Sequence, residues 1–398
     1  MSSVGLLLFI ILMEQNKAIF IILLLLQFFE LFIFGGHFWH YILTLTLFCI
    51  GYKGFSRSTN LKYYILIYVL FVYVSALSSH YFNGQPVIGT FVESYPYLGL
   101  MSCFIYPAIN VENVKIIEKH LVCLACAFCA CYMFQYAVFP NIIFLGASTT
   151  GLFEEGSVRI RLAGSSLSFF LYLWGLNNFL ERRKMSFFYV AIFALLVPFM
   201  MGFRSLLFLT ALFTVFLIIK KEGFSFRNLL YSSVICLVGY ALSFLPFIRD
   251  KIDSMIQRQS TGQSFSNSDY IRFIEYDYYM DYVFANPWER FLGGGTPIWG
   301  SRYYMEIMAA FDQLLYWNDW GLIGLSWIIG VVPVVLLMIM VIRACLKHLD
   351  EHYFYLKLLL LLLLCGSIAT SMEIFRNGNL IIVGIVLFLI EENSRQTK

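Results

Sequence analysis

Residues 186–219 read SFFYVAIFALLVPFMMGFRSLLFLTALFTVFLII, two apolar runs joined by the turn Met201-Gly202-Phe203-Arg204-Ser205. Arg204 is the one charged residue in the stretch. A run that is apolar on every face has no side to offer water, so it lies in a large core or crosses a membrane. The turn is too short to leave a membrane surface, so the two runs predict a helical hairpin that holds its arginine at membrane depth. A charge there is costly unless it faces a polar cavity or a partner. The alternative is a guanidinium that snorkels to the headgroups along its own apolar stem.

Working outward, the same pattern recurs along the chain. Apolar spans are expected at 18–35, 37–52, 62–79, 92–110, 120–139, 162–180, 186–201, 205–219, 229–247, 319–342, 355–371 and 377–390. Composition agrees: of 398 residues 60% are apolar and 13% charged, against about 25% charged in a soluble domain. There are too few charges to coat water-facing domains, which excludes a soluble enzyme. A net charge of +3 lacks the basic field of a nucleic-acid binder. The fold class is therefore all-α, a polytopic integral membrane protein of about 12 transmembrane helices forming a single domain over 1–398. The apolar residues 4–13 abut Glu14 and Lys17 without a cleavage-like end, and read as an anchored N-terminus rather than a removed signal. Cys123 and Cys126 form a CxxC inside an apolar run, a setting that suits neither zinc nor redox chemistry.

Basic residues orient the spans. Lys17, Lys53, Arg57, Lys62, Lys115, Lys119, Arg182, Arg183, Lys184, Lys220, Lys221, Arg227, Arg343, Lys347, Lys357, Arg395 and Lys398 fall in one set of connections, which should be cytoplasmic together with both termini. The opposite side keeps Arg159, Arg161, Arg204, Arg249, Lys251, Arg258, Arg272, Arg290, Arg302 and Arg376. The inner set is mostly lysine and the outer set almost pure arginine. Arginine offers a planar fork that binds phosphate oxygens two at a time and stays charged when half-buried. The outer face thus suggests recognition of anionic groups, the alternative being pairing with acids in the same loops.

Two outer loops are long, 140–161 and 248–318. The larger carries an amphipathic pattern over 270–281, where Tyr270, Ile271, Phe273, Ile274, Tyr276, Tyr278 and Tyr279 interleave with Arg272, Glu275, Asp277 and Asp281. Asn286-Pro287 is expected to close that helix, Gly293-Gly294-Gly295 to make a flexible turn, and Tyr303 to Trp317 to form a second amphipathic stretch. Aromatics of this loop (Tyr276, Tyr278, Tyr279, Trp288, Trp299, Tyr303, Tyr304) suit stacking on sugar rings or resting on the bilayer. Half-length repeats are lacking, which counts against a two-halves transporter.

Three outer features converge in topology. These are the segment Gly151-Leu152-Phe153-Glu154-Glu155-Gly156 with Arg159, Arg161 and Gly164-Ser165-Ser166, the Arg204 turn, and the long loop with Arg272 and Asp312. In this order the chain resembles the bacterial O-antigen polymerases and ligases. The resemblance runs from Arg159-Ile160-Arg161-Leu162-Ala163-Gly164 through Gly202-Phe203-Arg204-Ser205. It continues with Tyr270-Ile271-Arg272, Asn286-Pro287 and Phe291-Leu292-Gly293-Gly294-Gly295, and ends at Trp320-Gly321-Leu322-Ile323-Gly324-Leu325. It covers about residues 145–330.

The resemblance implies a GT-C-like glycosyltransferase of the bacterial inner membrane, with the large loop in the periplasm. Such an enzyme acts on undecaprenyl-diphosphate-linked oligosaccharide among membrane lipids, without metal or cofactor, and a chain-length regulator is the protein partner it implies. Ligase members carry a His–Asn pair before the Gly-x-x-Gly span. This chain has no histidine between His120 and His348 and reads Phe311-Asp312-Gln313-Leu314 there, which favours the polymerase branch. Arg159, Arg161, Arg204 and Arg272 are the expected diphosphate ligands, since fixed guanidiniums stabilise a leaving diphosphate. Asp312 or Glu306 is the expected base for the acceptor hydroxyl, each with the alternative of a salt bridge inside the loop. Glu154-Glu155 offers too few oxygens for a divalent cation. An O-antigen ligase and a flippase for the same lipid-linked unit are the competing readings.

Overall fold

The computed structural model describes residues 37–55, 61–108, 110–144, 148–149, 160–202, 204–223, 271–313, 315–369, 373–375 and 378–397. The described chain is helical apart from a two-residue ladder, β1 (Ser148–Thr149) against β2 (Ile160–Arg161). The first half holds α1 (His37–Phe55), α2 (Lys62–Asn83), α3 (Val87–Glu93), α4 (Tyr95–Leu98), α5 (Ile105–Ala108), α6 (Val114–Val138), α7 (Ser166–Arg182), α8 (Met185–Met201) and α9 (Arg204–Glu222). The second holds α10 (Ile271–Tyr278), α11 (Pro287–Leu292), α12 (Arg302–Asp312), α13 (Gly321–Ile329), α14 (Val331–Leu346), α15 (Phe354–Ala369) and α16 (Asn379–Gln396). Among the described residues three helices, Lys62–Asn83, Val114–Val138 and Glu351–Ile368, are long and apolar enough to cross a membrane, and Met185–Met201 and Val331–Leu346 are shorter apolar helices.

The outer faces of the helices are apolar. Leu66 and Leu70 on α2, Ile192 and Leu196 on α8, and Phe208 and Phe216 on α9 are exposed. Patches of that extent are a liability in water and the natural surface in lipid. The centre is α16, buried from Asn379 through Ile390 and packed by α6, α7, α14, α15 and the 3₁₀ segment Gly99–Phe104. Ser102 Oγ donates to the Ile381 carbonyl at 2.6 Å, a contact possible because Gly99 and Gly384 let the backbones approach.

Several expectations need correction. Residues 92–110 are not one helix: the chain passes through α3, α4 (Pro96 in its first turn), the 3₁₀ segment and α5 as it packs along α16. Span 319–342 is broken at Gly330 (φ 90°) into α13 and α14. The break exposes carbonyls at the end of α13, and the glycine run fills it: Gly294 N donates to Trp327 O at 2.7 Å and Gly295 N to Ile328 O at 2.8 Å. Gly293-Gly294-Gly295 is thus a buried backbone insert, not a flexible turn. A Cβ on Gly293 would stand 2.6 Å from Ile328 O, and its φ of +91° is costly for other residues. Asn286-Pro287 starts a helix instead of closing one, because Asn286 Oδ1 accepts from Trp288 N at 2.9 Å and proline occupies the first turn. Spans 18–35 and 229–247 lie outside the described residues.

At one end of the bundle basic residues meet acids from distant helices. Lys221 pairs with Glu181, Lys347 with Glu391 and Arg183 with Glu222. His352 lies between Glu181 at 2.6 Å and Glu118 at 3.5 Å. Lys221, Lys347 and Arg183 belong to the inner lysine-rich set. The loop helices α10 to α12 belong to the other end.

Candidate functional site at the loop end

The arginine segments are brought to one end through a chain of contacts. β2 carries Arg161 opposite Ser148 and lies against α8. The chain then enters α7, whose first turn is tied to α16: Asn379 Oδ1 accepts from Ser166 N at 3.0 Å, and Asn379 Nδ2 donates to Ser165 Oγ at 3.1 Å. Helix α8 ends at Gly202 (φ 74°), and α9 begins at Arg204. Near that start, Leu206 fills the space beside Gly366 of α15. The next residue, Ser367, presses its carbonyl on Gly321, which follows the 3₁₀ turn Trp317–Trp320. That turn packs on α10, the helix of Arg272. Arg161, Arg204 and Arg272 are therefore carried by segments that are linked, through α15 and the 3₁₀ turn, at the loop end, as are the N-termini of α7, α9 and α16. Helix N-termini carry partial positive charge, so the backbone adds to the arginines' field. Arg159, Glu154 and Glu155 lie outside the described residues, as do the side chains of Arg161 and Arg204; Arg272 is half-buried.

The expected bases lie on α12. Glu306 Oε1 accepts from Arg302 Nε at 2.8 Å, one turn away. Asp312 is exposed at the last residue of the helix. Both belong to a plate of loop helices resting on an aromatic cluster, in which Tyr279 stacks on Phe284 at 6.1 Å and Phe284 meets Tyr303 and Trp327. Tyr279 and Tyr303 are buried, whereas Trp288 and Trp299 are exposed.

The loop is pinned to the end of α2 by polar side chains. Asn83 Nδ2 donates to Glu289 Oε1 at 2.7 Å. Gln85 Oε1 accepts from Ile298 N at 2.7 Å and from Ser301 Oγ at 3.0 Å, while its Nε2 donates to Ser79 Oγ at 2.6 Å. Burial raises the Glu289 carboxyl above its usual range, the Asn83 hydrogen bond opposes that, and the Glu306 charge adds to it.

A second buried acid went unrecognised in the sequence. Glu275 on α10 is 1% exposed. Its Oε1 accepts from Tyr316 N at 3.0 Å, and its Oε2 has no partner among the described residues. Burial pushes its carboxyl up to about 7; the Tyr316 N–H bond opposes this, the Asp319 charge adds to it, and Arg272 opposes it again. Glu275 is four residues before the buried Tyr279, and that i, i+4 spacing was the available signal. Glu289, in Pro287-Trp288-Glu289-Arg290, gave none.

Among the described residues no group of three or more His, Cys, Asp or Glu could hold a metal ion, and the described cysteines are unbridged. No family model, curated protein or solved structure matches the chain.

Proposed function

We propose that the chain is a glycosyltransferase of the bacterial inner membrane that polymerises O-antigen or a related surface polysaccharide. It transfers the growing glycan from undecaprenyl diphosphate to the next lipid-linked repeat unit at the periplasmic face. The observation that carries this reading is the gathering of the Arg161, Arg204 and Arg272 segments, with three helix N-termini, at the end opposite the paired lysine-rich charges. In the reaction the acceptor hydroxyl attacks the sugar C1, the C1–O bond to the diphosphate breaks, and its electron pair leaves on the diphosphate. Arg159, Arg161, Arg204 and Arg272 stabilise that charge in a site of low dielectric. The acceptor proton goes to a carboxylate. Asp312 is exposed for this role, whereas Glu306 is engaged by Arg302. About twelve spans in a GT-C-like arrangement, both termini cytoplasmic, and a chain-length regulator as partner belong to the same proposal.

Arg204→Ala in cells tests it. Single-repeat glycans replace long chains while export continues. An unchanged chain-length distribution contradicts the diphosphate role, and lipid-linked units trapped on the cytoplasmic side favour a flippase. Loss of glycan transfer to lipid A-core with polymer still made on its lipid favours a ligase.

A further inference from the structure

Helices α1 and α2 follow each other in the chain, yet α1 leans chiefly on the 3₁₀ segment Gly99–Phe104 and on α5. Between α1 and α2 an open groove of about 280 Å³ remains. One wall is a stripe of α1 with Phe48, Tyr52 and Phe55, the other a stripe of α2 with Lys62, Ile65 and Leu66, and Phe104 belongs to the floor. Spacings of three and four residues put each set on one helix face. Ile65 and Phe104 are buried at the bottom, whereas Phe48, Tyr52 and Leu66 are exposed at the rim, so the groove opens on the apolar outer surface of the bundle. The Phe55 ring closes one end, 6.4 Å from both Tyr63 and Phe104.

Lys62 is the one charged residue of the lining. It is the first residue of α2, whose last residue, Asn83, is tied to the loop, so Lys62 marks the lysine-rich end. Its ammonium stands 5.4 Å from the centre of the Phe55 ring and 5.1 Å from that of Tyr63. Aromatic faces hold a cation without neutralising it, and among the described residues no carboxylate pairs with this half-buried lysine. Apolar walls gain nothing from water and suit hydrocarbon. The cation at the closed end suits an anion. A lipid with a negative headgroup supplies both, and basic pockets between membrane helices are where such headgroups collect. A zwitterionic lipid brings its own cation beside its phosphate.

We infer that the groove between α1 and α2 binds one anionic phospholipid from the leaflet on the lysine-rich side, with an acyl chain along the groove and the phosphate on the Lys62 ammonium. The site shares no residue with the arginine end and stands independently of the polymerase reading. Lipid bound there fills the space that α1 and α2 leave between them.

The test is native mass spectrometry of the full chain in detergent, with phosphatidylglycerol or phosphatidylethanolamine of equal chain length added in turn. One phosphatidylglycerol should be held about fivefold more tightly than phosphatidylethanolamine, the difference expected of one lysine at a headgroup. Lys62→Ala should remove that preference and Lys62→Arg should keep it. Lys115→Ala, at an exposed lysine of the same end, should leave it unchanged. Leu66→Trp, at the exposed rim, fills the groove without disturbing the core and should weaken both lipids alike. Glycerol phosphate, a headgroup without chains, should not compete. With Leu66 replaced by a photo-reactive amino acid, irradiation in membranes should capture phospholipid. The site is overturned if the native chain holds the two lipids equally, if Lys115→Ala lowers the preference as far as Lys62→Ala, or if Leu66→Trp holds lipid as the native chain does. Competition by glycerol phosphate, or capture of another segment of this chain or of a second copy in place of lipid, overturns it too.

Discussion

The two ends of the bundle treat charge in opposite ways. At the lysine-rich end, acids meet cations from other parts of the chain: Glu181 takes Lys221 and His352, Glu391 takes Lys347, and Glu112 takes Arg395, which also pairs with Glu392 one turn back on its own helix. At the loop end, Glu289 and Glu275 are buried on hydrogen bonds from an amide side chain and a backbone N–H. Paired charges at a half-exposed end are close to neutral in energy and mainly set orientation. Buried acids held by neutral donors are expensive to keep, and such groups cluster at working sites. Among the described residues, the lysine-rich end neutralises its charges with partners, whereas the loop end keeps two buried acids on neutral donors.

The same glycine substitution should separate the ends most sharply. Gly324→Ala places a Cβ over the Trp317 carbonyl oxygen and within 3.2 Å of Trp320 Cβ. It should cost about 3 kcal/mol and lower the melting temperature of the purified protein. Gly223→Ala, at the end of α9 near the lysines, meets nothing within 4 Å and bears only its φ of +74°, a cost of about 1 kcal/mol. Equal melting shifts would break the contrast.

Titration gives the next effect. The Glu275 carboxyl is held up to about 7 when folded and returns to about 4.3 when unfolded. The folded state therefore binds more protons across that window, and stability falls as pH rises through it, levelling off above about 7. The loss is at most about 4 kcal/mol, and Glu275→Gln should flatten the melting-temperature profile between those values. Smaller still, Asn83→Ala strands the buried Glu289 carboxyl and should cost about 2 kcal/mol, read as a lower melting temperature. Smallest is Glu181→Ala at the opposite end, about 1 kcal/mol or less, because Lys221 still donates to the Glu351 carbonyl; a larger melting shift there than for Asn83→Ala would reverse the comparison.

Much of the helical layout was legible because lipid-facing helices must be apolar on the outside. The run 62–79 falls within α2, and 120–139 ends one residue beyond α6. The amphipathic stretches at 270–281 and 303–317 contain α10 and α12, which end at Tyr278 and Asp312, since a loop helix resting on a core keeps a 3.6-residue stripe. Hydropathy alone left the breaks unread. Residues 92–110 and 319–342 are as apolar as continuous spans, and what interrupts them is a partner backbone: α16 for the first and the glycine run for the second. Buried acids were hidden for a related reason. Glu275 looks like one more polar residue on an amphipathic helix until the Tyr316 backbone N–H closes on it. Arg204 was conspicuous because it stands alone among apolar residues, and its place at the start of α9 follows from Gly202 ending α8.

The most direct measurement is made on the purified chain in vesicles supplied with undecaprenyl-diphosphate-linked repeat units and no other protein. Lipid-linked polymer should accumulate with release of one undecaprenyl diphosphate per bond formed, and Arg204→Ala should abolish both. Repeat units that remain single, or that merely cross the bilayer without any diphosphate released, would contradict the account.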